Sequence, residues 1–165
     1  MITEREYTTE ATEIQSGLLT GLKQHLRITS SDFDSSLELD LSAAIEIAEK
    51  ECGCIFLPSV ITLKAKSVID TAGYYPAFEC TSLKIDGVGK ESSDVEISGG
   101  RVSVQADEGQ AIEVVFEAGY LTFPAAVKAA VFLIAAVLFN NPADKVEVLP
   151  KASTNLLKSF RRWQS

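Results

Sequence analysis

Apolar residues recur every three or four positions in two segments of the first third of the chain, a spacing typical of amphipathic helices. The first segment predicts a short helix that Ser16 or Thr20 can cap and that ends at Leu26. The second predicts a long helix from about Asp32, within a cluster of capping residues, to Cys52. Its apolar positions form one stripe: Leu37, Leu41, Ala44, Ile45, Ala48 and Cys52.

A second apolar stripe lies beside the first on the long helix, and it consists of Leu39, Ala43 and Ile47. One stripe is enough to bury a helix against a core, whereas two indicate packing on two partners. These three residues are therefore the hypothesised contact between subunits. Gly53 follows the helix as a stop signal.

The middle of the chain changes to the pattern of β-strands. Segments rich in β-branched and apolar residues predict about five strands, at residues 60–68, 82–85, 95–98, 101–105 and 111–116. The pair Gly99-Gly100 predicts a hairpin turn, and Asp107-Glu108-Gly109 predicts a second turn. We expect a small antiparallel sheet inserted between helices.

Helical spacing returns after Pro124, because proline is tolerated in the first turn of a helix. Residues 125–139 are apolar on nearly every side, with Lys128 as the one charge. A helix of this kind is surrounded, either by its own fold or by neighbouring subunits. Its longest apolar run has 11 residues, whereas a membrane-spanning helix needs about 20. We therefore expect a buried helix and no membrane partner.

A last helix is predicted from Leu149 to about Trp163. Aromatic residues and arginine dominate the energetics of interfaces, so this segment is hypothesised to dock on a partner or a neighbouring subunit. The docking residues would be Leu156, Phe160, Arg161, Arg162 and Trp163. In that case a chain deleted from Lys151 onward would still fold. Packing on its own subunit is the alternative.

Together these elements predict an α+β fold, mainly helical, with a small antiparallel β-sheet inserted at about residues 59–117. Residues 1–15 are polar without periodicity, and we expect them to form a flexible arm. Residues 16–148 form a single helical domain, as a length of 165 residues favours. Residues 149–165 form the docking helix.

Charge divides the chain into an acidic body and a basic end. The net charge is −8 overall; residues 1–50 and 51–144 each carry −6, and residues 145–165 carry +4. This balance argues against a protein that grips nucleic-acid phosphates, because such proteins need a positive surface. It is compatible with a protein that stands near DNA without holding it. The asymmetry is typical of a contact surface.

The cysteines and the single histidine do not assemble a recognisable site. A nucleophilic cysteine needs a base, and His25 lies in a helix that predicts a surface position. Cys52, Cys54 and Cys80 lack the paired spacing of a zinc site. Their odd number, with no secretory signal at the N-terminus, indicates free thiols in a reducing compartment. We expect no catalytic residue and no metal.

Two further motifs fail on their spacing. The carboxylates that follow Asp32 lack the sixth-position glycine and the twelfth-position glutamate of an EF-hand loop. Residues 86–91 end like a phosphate-binding loop, but Lys84 stands where the first glycine belongs and Glu91 where serine or threonine belongs. Residues 86–91 therefore predict a turn between strands, and no cofactor is expected.

Four stretches of the chain carry a family resemblance in their order and spacing. Residues 22–28 read Leu-Lys-Gln-His-Leu-Arg-Ile before an acidic loop, and residues 43–53 end in Cys-Gly where Thr-Gly is more usual. Residues 118–124 read Ala-Gly-Tyr through Pro before an Ala-rich helix, and residues 149–162 run from Leu-Pro to Phe-Arg-Arg, with phenylalanine in place of a common tyrosine. Together they resemble the head–tail connector (head-completion or adaptor) proteins of long-tailed bacteriophages and prophages.

The resemblance implies a structural protein and no enzyme. Copies of the chain would form a ring, twelve-fold if it matches the portal, that docks under the portal protein and extends the DNA channel. Neck or tail-completion proteins would then attach. DNA would pass through the lumen without sequence-specific binding, and an acidic lumen would repel its phosphates. The expected location is the portal vertex of the virion, and the bacterial host cytoplasm during assembly.

Two alternatives stay open. One is another phage structural role, such as that of a tail-completion or DNA-packaging accessory protein. The other is an enzyme with an unrecognised site.

Overall fold

Strands and helices separate into two compact units in a computed structural model that describes residues 2–71, 76–141 and 149–161. The β unit contains the described residues 2–11, 53–71 and 76–121. The helical unit contains residues 12–52, 122–141 and 149–161. The predicted α+β class is confirmed.

Eight strands build two antiparallel sheets in the described part of the β unit. They are β1 (Ile2–Tyr7), β2 (Ser59–Lys66), β3 (Val68–Asp70), β4 (Ala77–Ile85), β5 (Val88–Lys90), β6 (Glu96–Ser98), β7 (Arg101–Gln105) and β8 (Ala111–Ala118). One sheet has the order β1-β2-β8-β4-β5 and the other β3-β7-β6. The predicted strands overlap β2, β4, β6, β7 and β8, whereas β1, β5, most of β3 and the division into two sheets were not predicted.

Alternation of side chains along the strands supplies the core of the β unit. Every second residue of β8 is buried, from Ile112 to Ala118, and the intervening residues are half-buried. Both sheets contribute to one cluster of buried apolar side chains, which includes Ile61 and Leu63 from β2 and Val102 and Val104 from β7. A period of two places one face of each strand on this shared core.

Two hairpin turns follow the predicted chemistry. Ser98 pairs with Arg101 across Gly99 and Gly100, whose φ angles are +57° and +80°. The pair Asp86-Gly87, with φ angles of +52° and +77°, likewise connects β4 to β5. Positive φ at both central residues is what a type I′ turn requires, so glycine-rich pairs are favoured there. Asp86-Gly87 is therefore the turn between strands that residues 86–91 predicted, but Val88–Lys90 belongs to β5 itself.

The structure differs from the prediction at residues 1–15. Ile2–Tyr7 is a strand that pairs with β2, and the first helix begins at Thr9. Glu4, Glu6 and Arg5 have no apolar periodicity because β1 is an edge strand, which pairs along one side only. The expectation of a flexible arm is wrong for this segment.

Four α-helices supply the described part of the helical unit, although the first three residues of α1 are grouped with the β unit: α1 (Thr9–Leu26), α2 (Asp34–Cys52), α3 (Ala125–Asn140) and α4 (Lys151–Leu157). A 3-10 turn, Lys158–Phe160, follows α4. The predicted last helix, from Leu149 to about Trp163, is therefore shorter than expected. α2 packs on α3, and α3 packs on α4. A Lys23–Asp34 ion pair of 2.5 Å joins the end of α1 to the start of α2.

The predicted apolar stripe of α2 is buried in full, from Leu37 to Cys52. Gly53 follows with φ +64°, the left-handed conformation in which helices commonly end. The start of the helix is at Asp34, two residues after the predicted Asp32. No helix among the described residues combines the length and the apolar character that a membrane span would need.

Candidate assembly surfaces

The second stripe of α2 lies on the surface of the helical unit. Leu39 is 71% exposed, and Ala43 and Ile47 are half-buried. Leu39 is two residues from both Leu37 and Leu41, which are buried, and two steps of 100° place it on the opposite side of the helix. Glu38 and Asp40 flank it, and partial burial raises the pKa of the Asp40 carboxyl. The structure therefore presents Leu39 as an apolar side chain between two acidic ones.

An apolar groove of about 340 Å³ lies between the end of α1 and the first half of α3. Its lining residues are His25, Ala125, Lys128, Ala129, Phe132 and Leu133. The His25 and Phe132 rings are 5.8 Å apart, and Lys128 Nζ lies 5.6 Å from the centre of the Phe132 ring. We refer to these six residues as the α1–α3 groove. Its floor is apolar, and its rim carries an ammonium and an imidazole.

The sequence predicts that α3 is surrounded by its own fold or by neighbouring subunits, and within one copy the structure leaves part of its first half exposed. Ala125, Lys128 and Ala129 are exposed, while Val127, Ala130 and Val131 are buried. Ala125 and Ala129 are small and lie one turn apart on the same face of α3, so this face is shallow. Leu133 lies on the same face one turn further along. The spacing Ala125–Ala129–Leu133 was the available signal for the groove. The contribution of α1 was not detectable, because it depends on how two distant segments pack.

Gly21 on α1 allows Phe132 to reach its place in the groove. A Cβ atom at Gly21 would lie 2.8 Å from Cζ of Phe132, closer than side chains normally approach. Gly17, one turn earlier on the same helix, has no atom within 4 Å of such a Cβ. Glycine is unfavourable inside a helix. At position 21 the close approach of the Phe132 ring explains why a residue without a side chain is present.

The C-terminal segment is tied to its own helical unit at several points. Leu157 is fully buried, and its carbonyl accepts a long contact of 3.7 Å from Cys52 Sγ. Arg161 forms an ion pair with Glu51 at the end of α2. Leu156 and Phe160 are half-buried. Arg162 and Trp163 lie outside the described residues.

This burial changes one expectation. A chain deleted from Lys151 onward would lose Leu157, so the deletion is expected to destabilise the helical unit, contrary to the sequence-based prediction. If the C-terminal segment docks on a partner, it must do so through its half-buried side chains, such as Leu156 and Phe160.

The thiols and the imidazole belong to different elements of the fold. Cys52 and Cys54 are buried, Cys80 on β4 is half-buried, and His25 is exposed at the α1–α3 groove. Burial raises the pKa of the Cys80 thiol, which opposes formation of the reactive thiolate. Among the residues that the structure describes, no three His, Cys, Asp or Glu side chains are grouped as a metal would require.

One charge cluster stands out on the β unit. Glu113 of β8 accepts a hydrogen bond of 2.9 Å from Lys84 of β4 and forms an ion pair of 2.9 Å with Lys64 of β2. These two lysines hold the pKa of the Glu113 carboxyl down, at about 2. Because all three side chains are partly exposed, water screens the attraction and its effect on stability is small.

The Glu113 cluster predicts a pH dependence. A carboxyl whose pKa is lowered by folding stabilises the folded state above its usual pKa and loses that contribution as the pH falls toward its folded value. We expect the difference in unfolding free energy between the wild type and Glu113→Gln to shrink as the pH falls from about 4.5 to about 2. Urea titrations across this range measure it. A difference that stays constant would contradict the assigned ion pairs.

Comparison with known proteins gives matches at the level of structure. No family model matches the chain, and neither does any curated protein. A chain in the virion of a native gene transfer agent particle superposes with a TM-score of 0.79 and 17% identity, covering 100% of this chain and 97% of that one. The fold is similar to that of this gene transfer agent chain.

Chains from two neck structures also superpose on this chain over nearly its whole length at low sequence identity. A chain of the neck of the native gene transfer agent particle, computed with C12 symmetry, has a TM-score of 0.74 at 17% identity over 100% of this chain and 97% of that one. A chain of the neck of the empty particle, computed with C6 symmetry, has a TM-score of 0.71 at 20% identity over 99% and 97%. These gene transfer agent chains are components of particles, and each is matched over nearly its whole length.

Proposed function

We propose that this protein is a structural component of the neck of a phage-like particle: a head–tail connector that forms a ring under the portal. The observation that carries the proposal is the near-complete match to a chain from a neck computed with C12 symmetry. A match over 97% of that chain leaves little of it without a counterpart here. The proposed partners are further copies of this chain, the portal protein and a neck or tail-completion protein.

The surface of the helical unit supports self-association. Two different apolar surfaces are exposed there, the Leu39 side of α2 and the α1–α3 groove. Contacts between unlike surfaces repeat from copy to copy, and they close into a ring when the rotation per copy allows it. A twelve-fold ring fits the C12 symmetry used for the native neck.

The charge of the chain supports passage of DNA without binding. Its net charge is −8, so a lumen lined by its acidic surfaces repels phosphate and lets DNA move freely. Catalysis has no part in this proposal. The protein would be incorporated at the portal vertex after folding in the host cytoplasm.

The proposal is tested by assembly. Purified protein is analysed by native mass spectrometry and electron microscopy, alone and with rings of a portal protein from the same particle. Closed rings, or copies seated on the portal, are the expected result. A monomer that binds neither itself nor the portal would overturn the proposal, and binding to a tail-completion protein alone would favour the alternative structural role.

Substitution on α2 separates assembly from folding. Ile47→Asp is expected to keep the circular dichroism spectrum of the wild type and to prevent ring formation, because Ile47 is half-buried on the second stripe. Ile45→Asp is the matched control: Ile45 is 1% exposed, and burying an unpaired carboxylate there should unfold the helical unit. Unfolding of both variants would place Ile47 in the core, and ring formation by Ile47→Asp would remove it from the interface.

The C-terminal segment is proposed to dock on the portal or on a neighbouring subunit. Leu156 and Phe160 supply half-buried apolar side chains, and Arg161 is paired with Glu51 beside them. The sequence adds the charge of Arg162 and the aromatic ring of Trp163 beyond the described residues. Contacts of this composition are typical of interface centres. Their basic character also complements the acidic remainder of each copy.

A further inference from the structure

The α1–α3 groove has an apolar floor without a covering segment among the residues that the structure describes. Its volume is about 340 Å³, and Phe132, Leu133 and Ala129 are among its lining residues. We propose that it receives the Leu39 side chain from a second copy of this chain. The inference rests on the proposed ring and names the two surfaces that build it.

Leu39 fits this role by its exposure and position. At 71% it is the most exposed large apolar side chain among the described residues. It lies on the side of α2 opposite the buried stripe, so it can enter a neighbouring surface without disturbing its own core. Leucine is long enough to reach the floor of a groove and loses little rotamer freedom on burial compared with flexible side chains.

Charge selects the pairing and its direction. Leu39 stands between Glu38 and Asp40, and Lys128, at the rim of the groove, is the one charged residue of α3. When Leu39 occupies the groove of the second copy, one of the two carboxylates beside it, that of Glu38 or Asp40, would approach the Lys128 ammonium. The imidazole N–H of His25 can then donate a hydrogen bond to the other carboxylate. Opposite charges around an apolar centre steer association and disfavour other registers.

The two surfaces differ, so the contact is head-to-tail. Each copy places Leu39 in the groove of one neighbour and receives Leu39 of the other neighbour in its own groove. The same contact is repeated from copy to copy until the assembly closes into a ring. A two-fold dimer would instead need one surface that matches itself. The groove therefore predicts rings or open filaments as the products of association.

Complementary variants test the pairing in the full-length protein. Leu39→Asp removes the apolar side chain, and Ala129→Glu places a carboxylate in the exposed floor of the groove. Each variant alone should be folded and monomeric at protein concentrations where the wild type assembles. Mixed together, they should form a one-to-one heterodimer and stop there, because the intact groove of the first copy meets the intact Leu39 of the second.

The masses of the species give the readout. Native mass spectrometry of the mixture should show twice the mass of one 17.8 kDa chain and no larger species. Assembly by Leu39→Asp alone, or a folded mixture that stays monomeric, would overturn the pairing while wild-type rings preserve the proposed function. A wild type that neither self-associates nor binds the portal would overturn both.

A matched glycine pair on α1 supplies a second readout. Gly21→Ala pushes on Phe132 in the groove, and Gly17→Ala adds the same methyl group in open space. Both variants should fold, but only Gly21→Ala should weaken assembly, by at least about tenfold in the dissociation constant, a common effect of disturbing an interface centre. Equal assembly by the two variants would show that Phe132 is not part of the contact.

Discussion

Gly119→Ala is expected to destabilise the β unit by about 2–5 kcal/mol, the sum of a left-handed backbone cost and a steric clash. Gly119 has φ +114°. A Cβ atom there would lie 2.5 Å from the carbonyl oxygen of Leu57 and 2.8 Å from the nitrogen of Pro58. These are backbone atoms, which cannot rotate away, so the strand end or the Leu57–Pro58 segment has to shift.

The position of Gly119 makes such a shift costly. It follows β8, and its N–H donates a hydrogen bond of 2.9 Å to the carbonyl of Pro76. Its neighbour Tyr120 donates to the carbonyl of Phe56 at 3.1 Å. Any movement of the backbone at Gly119 strains these bonds, which join three separate segments of the β unit.

Urea unfolding of Gly119→Ala beside Gly109→Ala measures the effect. Gly109 also has a positive φ, +87°, but no atom lies within 4 Å of a Cβ there, so its substitution costs only the backbone term of about 1–2 kcal/mol. We expect the midpoint of Gly119→Ala to fall well below that of Gly109→Ala. Equal urea midpoints for the two variants would contradict the close approach of the Leu57 carbonyl to Gly119.

Leu157→Ala is expected to cost about 2–5 kcal/mol of unfolding free energy, the range for a leucine removed from a packed core. Leu157 is fully buried at the end of α4. The same truncation at Leu156, which is half-buried, removes less buried surface and should cost clearly less. Thermal unfolding of the two variants, followed by circular dichroism, gives the comparison.

The two leucines also separate stability from docking. If the half-buried side of the C-terminal segment contacts the portal, Leu156→Ala should weaken attachment to the portal while the protein remains folded. Equal losses of stability at Leu156 and Leu157 would mean that both belong to the core, and the docking surface would then have to lie elsewhere.

The structural matches bear on the fold that the sequence motifs implied. The motifs resemble those of phage connectors, and the comparison supplies chains of gene transfer agent neck and virion structures with a similar fold at 17–20% identity. Sequence similarity at that level is weak because packing constrains the size and polarity of core residues more than their identity. The fold is accordingly easier to detect in three dimensions than in the order of residues.

Local chemistry in the sequence was sufficient to predict several elements of the fold. The buried stripe of α2 follows from apolar spacing alone, and Gly53 ends the helix because glycine adopts positive φ without steric cost. The hairpin at Gly99-Gly100 is determined in the same way. In each case the cause and its effect lie within a few residues of each other, so the pattern along the chain contains the answer.

Tertiary structure alone decided the features that depend on distant partners. Ile2–Tyr7 becomes a strand because β2, more than 50 residues away, supplies its hydrogen-bond partners. The α1–α3 groove exists because Gly21 and Phe132 meet across more than 100 residues. The length of α4 is a third example, since its end coincides with the burial of Leu157. Propensity and periodicity describe a segment in isolation, whereas these features arise from contacts that only the folded chain brings together.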